Sequence, residues 1–352
     1  MARVSGLGNS PGLGNSTFAL RAILAALLTA VRRDLKTVGS FSGNNLFVVG
    51  VGFLFLGDPG LFVALNVFIG LVLFIPLSAD PLRVLPPDRL AIWPLGTGER
   101  RWLRILSPWL NPVMWIVAAL AVWKHVTMGL WALAAGVFAI GFLLPSLPAA
   151  RKGMWRRVPH FPGPLNHLIR KNLRETLSTL DFWCSAVVSV FCLGFRAAGL
   201  LPADALLPMT IVTMLALSTY AQTLFGLDGE GGMTRYRLLP VPGWQILAAK
   251  DVPFLLCAVL MTLPLIPLAG LAAALAALAV GHYVSVTRHS HQMRWRFSSG
   301  VSFGTSIFQV VVMSATAAAV NAMPILVVLC AGVYAWSTWW CGRAMAVHSE
   351  NL

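Results

Sequence analysis

What this chain most lacks is charge. Of its 352 residues only 11% are Asp, Glu, Lys or Arg, and just 12 are acidic. A soluble domain carries about a quarter charged residues, so a soluble globular fold is excluded. The twelve carboxylates fall in loops or at the ends of apolar runs, with Asp181 and Asp251 each expected at the opening of one. Proton- or sodium-coupled transport calls for ionisable groups at mid-membrane, and is disfavoured. No Gly-x-x-x-x-Gly-Lys-Ser/Thr phosphate loop occurs, so the chain brings no ATPase of its own. The five cysteines, Cys184, Cys192, Cys257, Cys330 and Cys341, lie in or beside apolar runs without a Cys-x-x-Cys pair. Neither a disulfide framework nor a zinc site follows. His282 sits in an apolar run, while His289 and His291 share a loop with Arg288, Arg294 and Arg296. Those arginines repel a cation and no carboxylate accompanies them, so no metal site is expected.

What the chain has is apolar length. It is 57% hydrophobic with a mean hydropathy of +0.76, in recurring runs of roughly 17–22 residues, enough for a helix to cross a bilayer. A membrane β-barrel would show ~10-residue alternating segments instead. The expected fold is all-α, a polytopic helical membrane protein of about ten transmembrane helices. On that reading every Lys and Arg except Lys124 and Arg196 falls on one side. This positive-inside pattern puts both termini in the cytoplasm. The net charge of +14 then reflects topology and membrane lipids, and no nucleic acid is expected as a partner.

Taken in order, residues 1–17 are a flexible Gly/Ser/Asn tail holding Gly-Leu-Gly-Asn-Ser twice. Residues 18–36 read as an amphipathic surface helix, with Arg21, Ala25, Thr29, Arg32 and Lys36 on one face. Spans are expected at 41–57, 61–79, 109–123 and 127–147, completing a first membrane unit over 18–148. A basic, Pro-rich linker (149–164) leads to a second unit over 165–302, with spans at 181–199, 205–224, 252–268 and 271–287. Residues 303–352 form a C-terminal two-span hairpin and short tail. The units echo each other. Arg170-Lys171-Asn172-Leu173-Arg174 parallels Arg32-Arg33-Asp34-Leu35-Lys36, Leu239-Pro240-Val241 parallels Trp93-Pro94-Leu95, and Lys250 then falls on Arg104. A parallel internal duplication of a four-span unit is expected.

The stretch from Phe225 to Lys250 is more elaborate than joining two spans requires. Gly226, Gly229, Gly231 and Gly232 allow a sharp turn, which Asp228 and Glu230 solvate. Arg235 and Arg237 set positive charge beside the bilayer. Pro240 and Pro242 break helix, and Gly243-Trp244-Gln245 opens a short amphipathic turn ending at Lys250. A basic loop held near anionic lipid is one reading. The other is resemblance: Phe225, Gly226, Asp228, Gly229, Tyr236, Leu238, Leu239, Pro240 and Lys250 are similar in type and spacing to the permeases of bacterial type-2 ATP-binding-cassette exporters.

The resemblance implies a non-enzymatic permease subunit in the bacterial inner membrane, with no cofactor in this chain. ATP and Mg would act through a separate ATPase, and a homodimer or a second permease would be a further partner. The ATPase would dock on two connectors, at Asp228, Glu230, Arg235, Tyr236, Arg237, Trp244 and Lys250, and at Arg89, Trp93, Glu99 and Arg104. The first connector departs from the pattern, with Pro86-Pro87-Asp88 in place of the acidic glycine turn. Within the spans Asn66, Asn111, Gln222, His282 and Gln309 either hydrogen-bond neighbouring helices or line a substrate path. The competing class is an integral-membrane assembly factor or lipid-modifying enzyme without transport activity.

Overall fold

The computed structural model describes residues 21–29, part of 96–110, and 161–347 apart from 200, 229–231, 289–291, 293–299 and 302. The four expected spans of the first unit, apart from the opening of the third, lie outside the described residues, so the duplication is not visible. The described residues fall into two compact units. In one, helix α1 (21–29) buries Leu27 and exposes Arg21, Ala25 and Thr29, the amphipathic division expected of it. In the same unit Ser107–Leu110 forms a 3-10 turn.

The other unit, described over 161–347, has helices and turns and no strand among its described residues. It contains α2 (Asn166–Leu177), α3 (Leu180–Ala197), α4 (Leu206–Leu217), α5 (Thr219–Gln222), α6 (Gly232–Arg237), α7 (Gly243–Thr262), α8 (Pro267–Thr287), α9 (Phe303–Ala322) and α10 (Leu326–Val347). Five helices are long and apolar enough to cross a membrane: α3, the α4–α5 pair with its preceding 3-10 turn, α7, α8 and α9 from Gly304. Their outward faces carry Val190, Leu193, Leu256, Leu260, Phe308 and Val311, each more than 40% exposed. A soluble protein would not leave so much apolar surface in water. This is a multi-pass membrane protein.

Helix α8 is the centre of the bundle, packing against α4, α5, α7, α9 and α10. Its sequence explains the position. Ala269, Ala272, Ala273, Ala274 and Ala277 are fully buried, and small side chains let helix backbones approach closely where hydrophobic burial gives no drive. Gly281 is the tightest point. A Cβ there would overlap the backbone carbonyl of Ala221 in α5. A second backbone crossing pairs Gly243, opening α7, with Gly342 of α10.

Three boundaries differ from expectation. The amphipathic turn at Gly243 and the following span are one continuous helix, α7, so Asp251 is its ninth residue and not its opening. Pro253 sits inside that helix and leaves the Ala249 carbonyl, four residues back, without its usual N–H donor. Asn172 of α2 supplies one, its Nδ2 lying 3.1 Å from Ala249 O. The span expected at 205–224 is broken at Ser218, whose carbonyl accepts from Gln309 Nε2 of α9 at 2.9 Å. The span expected at 252–268 stops at Thr262, and Arg196 Nη1 donates to the carbonyls of Pro264 and Leu265 in the turn before α8. Irregular backbone at membrane depth persists where protein groups satisfy it, and each break has such a partner.

Candidate functional site

The residues singled out between Phe225 and Lys250 converge on one buried ion cluster. After α5 the chain turns through Thr223–Leu227 and delivers Asp228 beneath α6. The close approach requires glycine at Gly232, because a Cβ there would overlap the Asp228 side chain. Lys250, eighth in α7, points back into the same space. Its Nζ lies 2.7 Å from Asp228 Oδ2, with both side chains at most 2% exposed. Lys171 of α2 pairs with Asp228 Oδ1 from the outer side, and also lies 3.6 Å from Glu175. Tyr236 closes the network: its hydroxyl accepts from Lys171 Nζ at 2.8 Å and donates to Asp228 Oδ1 at 2.9 Å. The rings of Phe225 and Tyr236 each face the Lys250 ammonium at 4.9 Å from their centroids, a cation–π arrangement that strengthens when desolvated. Asn172 Oδ1 lies 3.4 Å from the same ammonium.

The electrostatics follow from two cations around one carboxylate. Burial opposes ionisation of Asp228, but Lys250 and Lys171 outweigh it and hold the carboxyl below its usual range. Burial, and then the adjacent Asp228 charge, push the Tyr236 phenol above its usual range, so it remains a donor. The cluster pins α2, the 223–228 turn, α6 and α7 to one another. It leaves Leu238 and Leu239 exposed, at 80% and 44%, and Trp244 at 47%. A rigid base thus presents an apolar ledge.

A second polar chain lies deeper. His282 and Asp251 are both fully buried, with Nε2 3.1 and 3.2 Å from the two carboxylate oxygens. Tyr334 donates to Asp251 Oδ2 at 2.9 Å. Ser337 Oγ donates to the Ala279 carbonyl at 2.9 Å, so at 3.1 Å from His282 Nδ1 it acts as acceptor. That makes Nδ1 the donor toward Ser337 and leaves Nε2 facing the Asp251 carboxylate. The order serine–histidine–carboxylate matches that of an acyl-transfer triad, but the roles do not. The hydroxyl proton is committed to a helix carbonyl and the facing ring nitrogen is a donor, so no base is available to it. Two stretches, Gly8–Gly12 and Gly300–Gly304, have the Gly-x-Ser-x-Gly spacing. The hydrolase elbow also needs a strand, and none occurs among the described residues. The chain from Asp251 to Ser337 ties α7, α8 and α10 together.

A third group gathers near the break at Ser218. Gln222 accepts from Thr305 at 2.9 Å, and Gln292 bridges Thr223 Oγ1 and Asp181 Oδ2 at 3.0 and 3.2 Å. Gln309 Oε1 and Ser306 Oγ are buried without a hydrogen-bond partner.

Of the expected docking residues, Tyr236 and Lys250 are therefore buried, Asp228 has a buried side chain, and Arg235 and Trp244 are exposed. Arg237 ends α6, and Glu99 accepts from the Gly96 amide at 2.9 Å. Glu230, Arg89, Trp93 and Arg104 lie outside the described residues, as do Asn66 and Asn111. Gln222, His282 and Gln309 bridge helices within the bundle. Sequence reasoning missed Lys171, Asn172, Gln292 and Tyr334. A buried-span lysine and a mid-helix proline each demand a partner, but nothing in the sequence names which residue supplies it. Among the described residues no three His, Cys, Asp or Glu side chains are grouped as metal ligands. No known protein family, curated protein or solved structure matches the chain.

Proposed function

We propose that this protein is the transmembrane permease subunit of an ATP-driven exporter in a bacterial inner membrane, its termini cytoplasmic, driven by a separate ATPase that binds ATP and Mg. The observation that carries the reading is the convergence of the connector's distinctive residues. Phe225, Asp228, Tyr236 and Lys250 are spread over 26 residues of sequence yet form one buried cluster. A passive loop has no need of a desolvated ion pair. A loop that must transmit force from a partner into α7 does, since the cluster makes connector and helix one body. The exposed Leu238, Leu239, Pro240 and Trp244 offer such a partner a hydrophobic anchor, with Arg235 at the rim.

Substrate would move as α7, α8 and α10 shift relative to the α4–α9 contact, where Gln222, Gln309 and Ser306 place polar groups inside the bundle. The test is a pull-down of tagged protein from native membranes in mild detergent, with mass spectrometry of what co-purifies. The wild type is expected to bring down a stoichiometric ATPase, and Arg235→Glu/Arg237→Glu to lose it. An absence of any ATPase from both samples refutes the permease reading.

A further inference from the structure

Helix α9 carries two polar atoms inside the bundle that no protein group satisfies. Gln309 Oε1 and Ser306 Oγ are buried without a hydrogen-bond partner, on residues only 1% and 7% exposed. Three positions apart, they are neighbours on the helix surface. The Gln309 amide cannot turn to relieve its oxygen. Its Nε2 donates to the Ser218 carbonyl, and a flip would set two oxygens against each other. That bond and the one from Thr305 to Gln222 lie on either side of Ser306 along α9. Both orphan atoms therefore sit where α9 crosses the break between α4 and α5. An interrupted helix within a span is where membrane transporters hold polar groups of a substrate. The surrounding side chains are apolar, with Met214, Leu217, Val310 and Met313 all buried.

We infer that Ser306 and Gln309, at the break in the α4–α5 span, bind the neutral hydroxyl headgroup of an amphipathic molecule. The uncommitted atoms select the class. An amide oxygen only accepts, and a serine hydroxyl accepts or donates, so the ligand must bring a hydrogen to donate. Helices α4 and α9 hold no ionisable residue. Tyr220 of α5 donates to the Lys250 carbonyl, and His282 of α8 is committed to Asp251 and Ser337. A charged headgroup would be left uncompensated at membrane depth, which leaves a neutral O–H, and the apolar surroundings suit an alkyl body. Access follows from the packing of α9. Among the described residues it is the least enclosed of the five spans, 33% buried against 50–78% for the others, and so has the least contact to give up when it parts from α4. Water offers the same O–H chemistry, and the experiment separates the two. Calling the amphiphile the transported substrate rests on the permease reading; the binding site itself does not.

The experiment photolabels the purified full-length protein in nanodiscs with hexadecanol carrying a diazirine beside its hydroxyl, and locates the adducts by mass spectrometry. Adducts on Ser306, Gln309 or Ser218 should be displaced by excess hexadecanol and not by hexadecyl methyl ether, which has no O–H to donate. Adducts on the outward-facing Phe308 and Val311, formed from the bulk bilayer, should respond to neither. Ser306→Ala should weaken displacement about five-fold, as for one lost hydrogen bond. Its unfolding midpoint should not fall, because the hydroxyl has no protein partner to lose. Equal displacement by the ether would make the break an apolar crevice and overturn the hydroxyl site. An absence of displaceable adducts at the three residues would assign the orphan atoms to buried water, and overturn the amphiphile. A lowered midpoint for Ser306→Ala would show the hydroxyl to be bonded within the protein, and would also overturn it. No ATPase takes part, so each result leaves the permease reading to its own pull-down.

Discussion

The Asp228 cluster makes an asymmetric prediction. Removing one partner of a buried ion pair costs about 3–5 kcal/mol, because the survivor is left uncompensated. Asp228 has two cations, whereas Lys250 has one carboxylate. Lys250→Met leaves Asp228 paired with Lys171 and hydrogen-bonded by Tyr236, and should cost about 1–3 kcal/mol, as for a lost charged hydrogen bond. Asp228→Asn strands the Lys250 ammonium with Asn172 Oδ1 at 3.4 Å and two ring faces, and should cost about 3–5 kcal/mol. An upper bound comes from proton release. Between a free lysine near 10.4 and pH 7, surrendering the proton costs about 4.6 kcal/mol, at about 1.4 kcal/mol per unit. The double variant Asp228→Asn/Lys250→Met should be more stable than Asp228→Asn alone, since no stranded charge remains. The assay is thermal unfolding of the purified proteins in one detergent, scored by the order of their midpoints. A double variant less stable than Asp228→Asn, or a Lys250→Met midpoint below that of Asp228→Asn, would refute the reasoning. Acid supplies an independent check. The Asp228 carboxyl is lowered in the folded state, so its stabilisation is fully present above the unfolded value, about 3.9, and is lost as pH falls through the folded value. Asp228→Asn should flatten that acid limb.

Two further outcomes follow from backbone geometry. Asn172→Leu should destabilise by about 1–3 kcal/mol by orphaning the Ala249 carbonyl, and Pro253→Ala, which restores an N–H four residues on, should recover part of that loss; midpoints of the single and double variants decide it. Gly281→Ala should be severely destabilising because its Cβ meets the Ala221 backbone, while Gly304→Ala, with open space around it, should be tolerated in the same unfolding assay. A comparable loss at both glycines would show that the α5–α8 contact does not set the requirement at Gly281.

Much of the fold was legible before any coordinates. Apolar run length and scarcity of charge led to membrane helices, and in 161–347 five of the six expected spans fall on helices long and apolar enough to cross a membrane, the sixth falling on the long but less apolar α10. The helical surface segment at 21–29 was legible from 3.6-residue periodicity, and that at Asn166–Leu177 from the likeness of Arg170–Arg174 to Arg32–Lys36. The connector was recognisable as special from its residue types. These properties are local: each depends on residues within a turn or two, and the bilayer acts on them as a solvent acts on composition.

What only the tertiary structure decided is which residues complete one another. Asp251 read as a span opening because the next span was expected to begin at 252; Asn172, 77 residues away, supplies the donor that Pro253 removes, and α7 runs through. Asp228 and Glu230 read as solvation of a turn, yet Asp228 is the buried counter-ion of Lys171 and Lys250. His282 read as hydrogen-bonding a neighbouring helix or lining a substrate path, and it belongs to a chain with Asp251, Tyr334 and Ser337. In each case a buried polar group must find a partner, because desolvation without one costs several kcal/mol. The sequence states that obligation at a given position. Only packing, which brings distant segments within 3 Å, settles where it is met.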